Sequence, residues 1–182
     1  MLLAAMGTAC GGGAGTHATV EPTTTHRGAP SITTAVVLAR PTIIDRGNDY
    51  ISIASSLVLF VRWLEWHNPD PGLVERAYQL GSPPERVASE HVTELRRTGA
   101  RIVEADRASL DFTIISVEPN VVSLRLTEHL LRRELIAANG RVLARDGART
   151  EHYVISIARW NAEAPWRVNL VERRSPKIEV QL

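Results

Sequence analysis

The chain is poor in cysteine and lysine, and it lacks a long uninterrupted apolar run. Its 182 residues include one cysteine, Cys10, and one lysine, Lys177. A single cysteine cannot close an internal disulfide, and no cysteine and histidine spacing suits a zinc site, so packing must stabilise the fold. The most apolar stretch, YISIASSLVLFV from residue 50, soon meets Arg62 and Glu65. It is shorter than the roughly 18 to 20 apolar residues that span a bilayer, so we expect no transmembrane helix.

An excess of charge of one sign is also absent. Lysine and arginine total 21 and aspartate and glutamate total 20, which gives a formal net charge of +1. This balance creates no field that would attract nucleic acid or an anionic membrane from a distance. The sequence contains no phosphate loop, nucleophile elbow or metal-binding helix. We therefore predict no nucleic-acid partner, no metal and no cofactor.

The cysteine follows a short apolar segment and precedes a glycine run. MLLAAMGTAC resembles the end of a bacterial lipoprotein signal peptide, in which small residues precede the acceptor cysteine. Gly7 stands where an aliphatic residue is usual, and no basic residue precedes the apolar run, so an uncleaved remnant and a cytoplasmic tail stay open as alternatives. The leading interpretation makes Cys10 the lipidation site, 1–9 a signal-peptide remnant and 10–46 a flexible linker rich in Gly, Thr and Pro.

Helical patterns occupy the next part of the chain. An Asn-Asp pair suited to N-capping precedes apolar residues at helical spacing, which predicts an amphipathic helix over 50–67. A short second helix is predicted over 71–81, with proline at its first position and glycine at its end. Ser82 and Glu85 stand at capping-box spacing, which predicts a third helix that ends at Gly99.

From residue 100 the apolar pattern changes to a period of two, which is typical of strands. Strands are predicted over 110–118, 121–135 (with a bulge or strong bend), 151–160 and 166–174, with the last two forming an antiparallel hairpin. No alternation of strand and helix is present, which excludes an open dinucleotide-binding sheet. The predicted fold class is α+β: three N-terminal helices packed on a curved antiparallel sheet, with the domain over 47–175 and a tail over 176–182.

A family resemblance lies in VTELRRTGARIV, SLDFTIISV, AANGRVLARDG and HYVISIARWNAEAPWRVNLVE. These segments resemble the nuclear transport factor 2-like (cystatin-like) superfamily, in particular its actinobacterial exported lipoproteins. It implies a cone in which a bent sheet wraps around the helices and leaves a pocket, and it allows a homodimer formed through the sheets. Such cones include isomerases, polyketide cyclases, envelope proteins and secretion-system subunits, so the activity must be argued from the site.

Members similar to ketosteroid isomerase use a carboxylate base and an acidic hydrogen-bond donor pair inside the cone. The candidate residues for such roles are Asp111, Tyr50, Tyr78, Glu128, His129 and His152. Strand alternation places Asp111 towards solvent, and it places the neighbours Glu128 and His129 on opposite faces of their strand. The two tyrosines belong to apolar stripes of helices, where they are expected to pack. No catalytic residue is therefore assigned.

Two further groups of residues receive structural interpretations. Arg125, Arg132 and Arg133 lie among acidic residues, which favours ion pairing on a solvated face. Trp63 and Trp66 end the first helix, where large side chains normally pack into a core.

The leading hypothesis is a noncatalytic, membrane-tethered envelope lipoprotein. It would be exported and lipid-anchored to the outer face of the cell membrane, and its domain would bind a partner protein or a small apolar ligand. The alternatives are an enzyme similar to ketosteroid isomerase or polyketide cyclase, and an assembly subunit of a secretion or lipid-transport complex. The enzyme hypothesis requires at least two ionisable side chains that converge inside the domain.

Overall fold

A computed structural model describes residues 39–104 and 109–174. Its helices are α1 (Tyr50–His67), a 3₁₀ helix (Pro71–Arg76) and α2 (Pro83–Thr98). Its strands are β1 (Arg101–Glu104), β2 (Ser109–Glu118), β3 (Val121–Leu130), β4 (Arg133–Ile136), β5 (Val142–Asp146), β6 (Arg149–Ala158) and β7 (Arg167–Arg174). Cys10, the predicted signal remnant, most of the predicted linker and the tail over 176–182 lie outside the described residues.

Local capping chemistry sets the ends of the two α-helices. The Asp49 carboxylate accepts hydrogen bonds from the backbone N–H and the hydroxyl of Ser52, at 3.1 and 2.6 Å. The Ser82 hydroxyl accepts from the backbone N–H of Glu85 at 3.4 Å, and Gly99 closes α2 with a φ of +63°. These groups satisfy backbone positions that a helix end leaves unpaired. The predictions for the first and third helices are confirmed.

The strands form two antiparallel sheets. One has four strands in the order β2-β3-β6-β7, and the other has three in the order β1-β4-β5. The predicted strand over 121–135 breaks at Leu131 and Arg132, where β3 ends in the larger sheet and β4 starts in the smaller one. The hairpin of the last two strands is confirmed, since β6 and β7 pair antiparallel.

The predicted fold class, three N-terminal helices packed on a curved antiparallel sheet, is therefore wrong. The described residues form two α-helices and two sheets rather than three helices on one sheet. The predicted second helix reduces to a 3₁₀ turn, because the residues after it bond to β7 instead of continuing the helix. The Val168 N–H donates to the Ala77 carbonyl at 2.8 Å, and the Gln79 N–H donates to the Val168 carbonyl at 2.9 Å.

The main core lies between α1 and one face of the four-stranded sheet, which we call the inner face. Its buried residues are Ile53, Ala54, Leu57, Phe60, Ala77, Val122, Leu124, Leu126, Ile155, Ile157, Trp166 and Val168. A second cluster joins α2 to α1 and the 3₁₀ helix through Leu64, Val74, Ala88 and Val92. The helices and the larger sheet therefore bury their apolar side chains against one another, and this burial is the main interaction that stabilises the fold.

Residues 39–49, which we call the N-terminal strap, lie against this body. The Ile44 N–H donates to the Ser56 hydroxyl at 2.9 Å, and the Asp45 carbonyl accepts from the Trp166 N–H at 2.8 Å. The Trp166 indole N–H donates to the Gly47 carbonyl at 3.2 Å. The packed part of the chain therefore includes residues that the sequence analysis assigned to the linker.

The C-terminal end of α2 offers a test of close packing. Gly81 and Gly99 both have positive φ, at +76° and +63°. An added Cβ at Gly81 meets nothing within 4 Å, whereas at Gly99 it lies 3.0 Å from the Ala138 Cβ. Gly81→Ala should cost about 1 to 2 kcal/mol through backbone strain alone. Gly99→Ala should cost about 1 kcal/mol more because of overpacking, measured as the free energy of unfolding in urea.

Adding Ala138→Gly to Gly99→Ala should remove the extra cost and leave the strain. Equal losses of stability in the two single variants would contradict the contact between Gly99 and Ala138.

Candidate functional site

A groove opens between residues 75–80 and the loop that joins β6 to β7. We call it the Trp160 groove, and its volume is about 310 Å³. Trp160 and Leu80 line it with 78% and 74% of their surfaces exposed. Tyr78 and Pro165 contribute further apolar surface. Large apolar side chains normally lose most of their exposure on folding, so this pair stands out on the described surface.

Hydrogen bonds hold the loop that carries Trp160. The Asn161 carboxamide oxygen accepts from the backbone N–H groups of Glu163 and Ala164, at 3.0 and 2.9 Å. The Arg159 guanidinium donates to the carbonyls of Ala162 and Pro119, both at 3.0 Å. It also lies 4.5 Å above the Trp166 ring. The groove is therefore preformed on its loop side, which lowers the entropic cost of binding there.

The charges that line the groove are mostly positive. Arg167 is neutralised by Asp45, at 3.0 Å, and also donates to the Glu75 carbonyl at 3.3 Å. Arg76 and Arg159 form no ion pair with any carboxylate in the described ranges. Since Glu75 is the acidic side chain of the lining, the groove presents an excess of positive charge.

A cluster of buried charges occupies the other end of the inner face. Glu128 on β3 lies directly opposite Glu151 on β6, so the two carboxylates share one face. Arg62 of α1 forms an ion pair with Glu128, and only 10% and 12% of the two side chains are exposed. The Arg62 guanidinium also lies 5.5 Å from the Trp66 ring centre. The ion pair joins α1 to the sheet and balances one of the two adjacent carboxylates.

Glu151 is balanced by groups from its own sheet. The guanidinium of Arg173 donates to it at 2.9 Å, and Arg149 and the Tyr153 hydroxyl also donate to it. Burial raises the pKa of Glu151, but the hydrogen bonds from Tyr153 and Arg149, together with the charges of Arg149 and Arg173, hold the pKa below its usual value. Burial and the same Glu151 bond raise the pKa of Tyr153 to about 12. Glu151 is therefore ionised at neutral pH and has its counter-charges within the protein.

Glu65, one turn after Arg62 on α1, differs from these carboxylates. Burial raises the pKa of Glu65 to about 7, although the guanidinium groups of Arg133 and Arg62 oppose the shift. Burial raises the pKa of Tyr78, and the negative charge of Glu65 raises it further. Tyr78 also lines the Trp160 groove. Glu65 and Tyr78 are thus two partly buried ionisable groups close enough to interact electrostatically, and Glu65 changes charge near neutral pH.

The remaining acid–base candidates lie on the outer face of the larger sheet. His129 Nε2 contacts the Asp111 carboxylate at 3.2 Å, and the two side chains are 49% and 69% exposed. His152 Nδ1 is 3.2 Å from the Thr127 hydroxyl. The structure places Glu128 and His129 on opposite faces, as strand alternation predicts. It brings Asp111 to His129, a contact that the sequence analysis did not foresee because the register of β2 on β3 determines it.

The other residues that the sequence analysis discussed have structural contacts. Tyr50 packs edge-on against Trp166, with ring centres 5.6 Å apart, and Trp63 packs at 5.7 Å from Phe60. Arg133 pairs with Asp146 at 3.3 Å, and Arg132 pairs with Glu134 at 3.4 Å. Ion pairs thus account for two of the three arginines.

Sequence reasoning missed the Trp160 groove. The turn WNAEAPW places two tryptophans six residues apart around a turn signal made by Asn161 and Pro165, and of the two only Trp166 is buried. A second tryptophan in a tight polar turn, without a helical or strand pattern of its own, is the signal that points to an exposed aromatic side chain.

Comparisons with known proteins identify no family for this chain. The sequence matches no protein-family model and no curated protein. The fold is similar to the crystal structure of the intermembrane space region of chloroplast protein ARC6, with a TM-score of 0.49 and 10% identity, over 72% of this chain and 99% of that chain. A likeness this distant carries no argument about function.

Across residues 39–104 and 109–174, no group of three or more His, Cys, Asp or Glu side chains is arranged to hold a metal ion. In the same ranges no helix has both the length and the apolarity to cross a membrane.

Glu65 predicts a pH dependence of stability. Its pKa of about 7 in the native state lies above the ordinary glutamate value of 4.5, so the native chain holds this proton more tightly than the unfolded chain does. The resulting stabilisation is complete below pH 4.5 and is lost as the pH rises through 7. Glu65→Gln keeps the neutral form, so at pH 8 it should be more stable than the parent by roughly 1 to 3 kcal/mol and should lose this advantage at pH 4.

Urea unfolding at both pH values measures this difference. Glu94→Gln is the matched control, because the hydrogen bond from Arg97 lowers the pKa of that exposed carboxylate. The control should gain no stability at pH 8. A Glu65→Gln variant that is no more stable than the parent at pH 8 would contradict the burial of the charge.

The Arg62 ion pair predicts strong coupling between α1 and the sheet. Arg62→Met leaves Glu128 buried beside Glu151, so it should cost roughly 3 to 5 kcal/mol of unfolding free energy. The double variant with Glu128→Leu removes both charges and should recover most of that loss. The control Arg97→Met breaks an exposed pair, 69% and 56% exposed, and should change stability little. Additive effects of Arg62→Met and Glu128→Leu would contradict the pairing.

Proposed function

We propose that the chain is an exported, lipid-anchored envelope protein whose folded domain binds a partner protein at the Trp160 groove and performs no catalysis. The observation that carries this proposal is the exposure of Trp160 and Leu80, 78% and 74%, on one concave surface. Exposed apolar side chains that cluster beside polar groups mark interaction sites. Tryptophan and arginine are also the residue types that most often dominate binding energy at protein interfaces.

The groove suits a protein better than a small apolar ligand. Its lining mixes tryptophan and leucine with the arginines at 76, 159 and 167, and it is open to solvent. A small apolar ligand gains most of its affinity from an enclosed apolar cavity. A protein segment can instead cover the apolar side chains and contact the charges at the edges, as in the core and rim of a protein interface.

Anchoring through Cys10 is supported by the sequence alone. The apolar segment before Cys10 and the Gly-, Thr- and Pro-rich stretch after it fit a lipidated tether. The resemblance to actinobacterial exported lipoproteins of the nuclear transport factor 2-like superfamily supports the same interpretation, and it stays a prediction. A lipid on Cys10 would place the domain at the outer face of the cell membrane, near envelope proteins.

A second candidate function, an acid–base enzyme similar to ketosteroid isomerase, is favoured by Glu65 and Tyr78. Glu65 has a pKa of about 7, and Tyr78 lines the groove. Turnover of a β,γ-unsaturated ketosteroid that is lost in both Glu65→Gln and Tyr78→Phe would support this function. Equal absence of turnover in the parent and in both variants would count against it.

Photo-crosslinking in cells tests the binding function. A photoreactive phenylalanine analogue replaces Trp160 in the full chain, and the same analogue replaces Leu143, which is 45% exposed on β5, as the control. Because the partner is expected to cover the groove, position 160 should give a discrete protein adduct in membranes, and position 143 should not. An adduct with a second copy of the chain would identify a homodimer. Equal labelling at both positions, or none at 160, would reject the groove as the binding surface.

Metabolic labelling tests the anchor. Cys10→Ala removes the thiol that accepts the lipid, so the variant should lose incorporation of a fatty-acid analogue and should leave the membrane fraction. The intact mass of the native protein should carry the added acyl groups. Equal incorporation in the parent and the variant would rule out Cys10 as the attachment site.

A further inference from the structure

The Trp160 groove combines apolar side chains with positive charge that no carboxylate of the described residues balances in an ion pair. Trp160 and Leu80 provide the apolar part. Arg76 and Arg159 have no carboxylate partner in the described ranges, whereas Arg167 is paired with Asp45 at 3.0 Å. A ligand that fits both features needs an apolar side chain and a negative charge within a few ångströms of each other.

The groove also contains polar atoms that lack hydrogen-bond partners. The Gln79 side-chain oxygen and the Arg159 Nε are buried, and no described residue bonds to either atom. Both residues line the groove. An amide oxygen accepts hydrogen bonds and a guanidinium N–H donates them, so a donor would pair with Gln79 and an acceptor with Arg159.

We propose that the groove binds an extended acidic segment of the partner protein, in which a carboxylate side chain flanks an apolar one. This proposal rests on the proposed binding function and names the chemistry of the partner. The carboxylate lies towards Arg76 and Arg159, and the apolar side chain packs on Trp160 and Leu80. A backbone N–H of the segment supplies the donor for Gln79.

An anionic lipid surface is the competing occupant, because tryptophan, leucine and arginine also suit a membrane interface. The concave shape of the groove favours the peptide, since an extended segment can enter a groove more closely than the flat surface of a bilayer can. The observations therefore favour a protein segment.

Peptide binding to the full chain tests the proposal. The probe is a fluorescently labelled ten-residue peptide in which glutamate alternates with leucine, and its matched control has glutamine in place of each glutamate. Fluorescence anisotropy at two salt concentrations measures the affinity. The glutamate peptide should bind at least tenfold more tightly than the glutamine peptide, and the difference should shrink at high salt because the charges are exposed.

Surface variants locate the binding site. Trp160→Ala should weaken binding of the glutamate peptide at least tenfold, and Arg76→Gln should weaken it about fivefold. The matched controls lie on the exposed face of α2, where Val87 is 53% exposed. Val87→Ala and Arg86→Gln should leave the affinity unchanged. Both groove residues lie at the surface, so their variants should keep the circular dichroism spectrum of the parent.

Phosphatidylglycerol vesicles serve as the second probe. Three outcomes would overturn the proposal: equal binding of the two peptides, binding that Trp160→Ala does not weaken, or binding only to the vesicles. The last outcome would assign the groove to the membrane. An adduct at position 160 in cells, without binding of the glutamate peptide, would reject the acidic segment and leave the proposed function standing. Peptide binding without any adduct in cells would support the chemistry of the groove and reject its use by a cellular partner.

Discussion

The burial of Trp166 is the constraint on which the rest of the structure depends. Its side chain is fully buried, at 0% exposure, between the start of α1, the N-terminal strap and the end of the β6–β7 loop. Tyr50 packs on one edge of the ring, Arg159 stacks on it, and the indole N–H donates to Gly47. Tryptophan contributes a large buried apolar area together with one directional polar group, so its position also fixes the position of its neighbours. The contacts of Trp166 therefore also fix the position of the loop that carries Trp160.

Different interactions hold the two ends of the inner face. At the Trp166 end, apolar packing and backbone hydrogen bonds hold the strap and the loop. At the other end, Glu128 and Glu151 lie side by side, and the sheet tolerates them because Arg62 balances one and Arg173 helps to balance the other. Such ion pairs add little net stability over apolar packing, but removing one partner is costly. They therefore act mainly as a constraint on where α1 crosses the sheet.

The sequence predicts the local structure well and the tertiary pairing poorly, for a physical reason. Caps are local chemistry, so Ser82 and Gly99 mark the ends of α2 correctly. The residues from 121 to 135 keep an apolar pattern through Leu131, but the two halves of this stretch pair with different strands. Pairing depends on contacts distant in sequence, which a period of two does not encode. The same limit applies to Glu128 and Glu151, which only the register of β3 on β6 brings together.

The buried charge cluster and the Trp160 groove differ in a way that favours the groove as the surface that binds a partner. In the buried cluster, Glu128 and Glu151 find their counter-charges within the chain, and an outside ligand would have to displace them at a cost in stability. At the groove, Trp160 is exposed and polar atoms of Gln79 and Arg159 have no partner in the described chain, although the loop around them is fixed by hydrogen bonds. Exposure of the large apolar surface of Trp160 to water is unfavourable in the free protein. Because a bound partner would cover this surface, binding would remove a cost that the free protein carries.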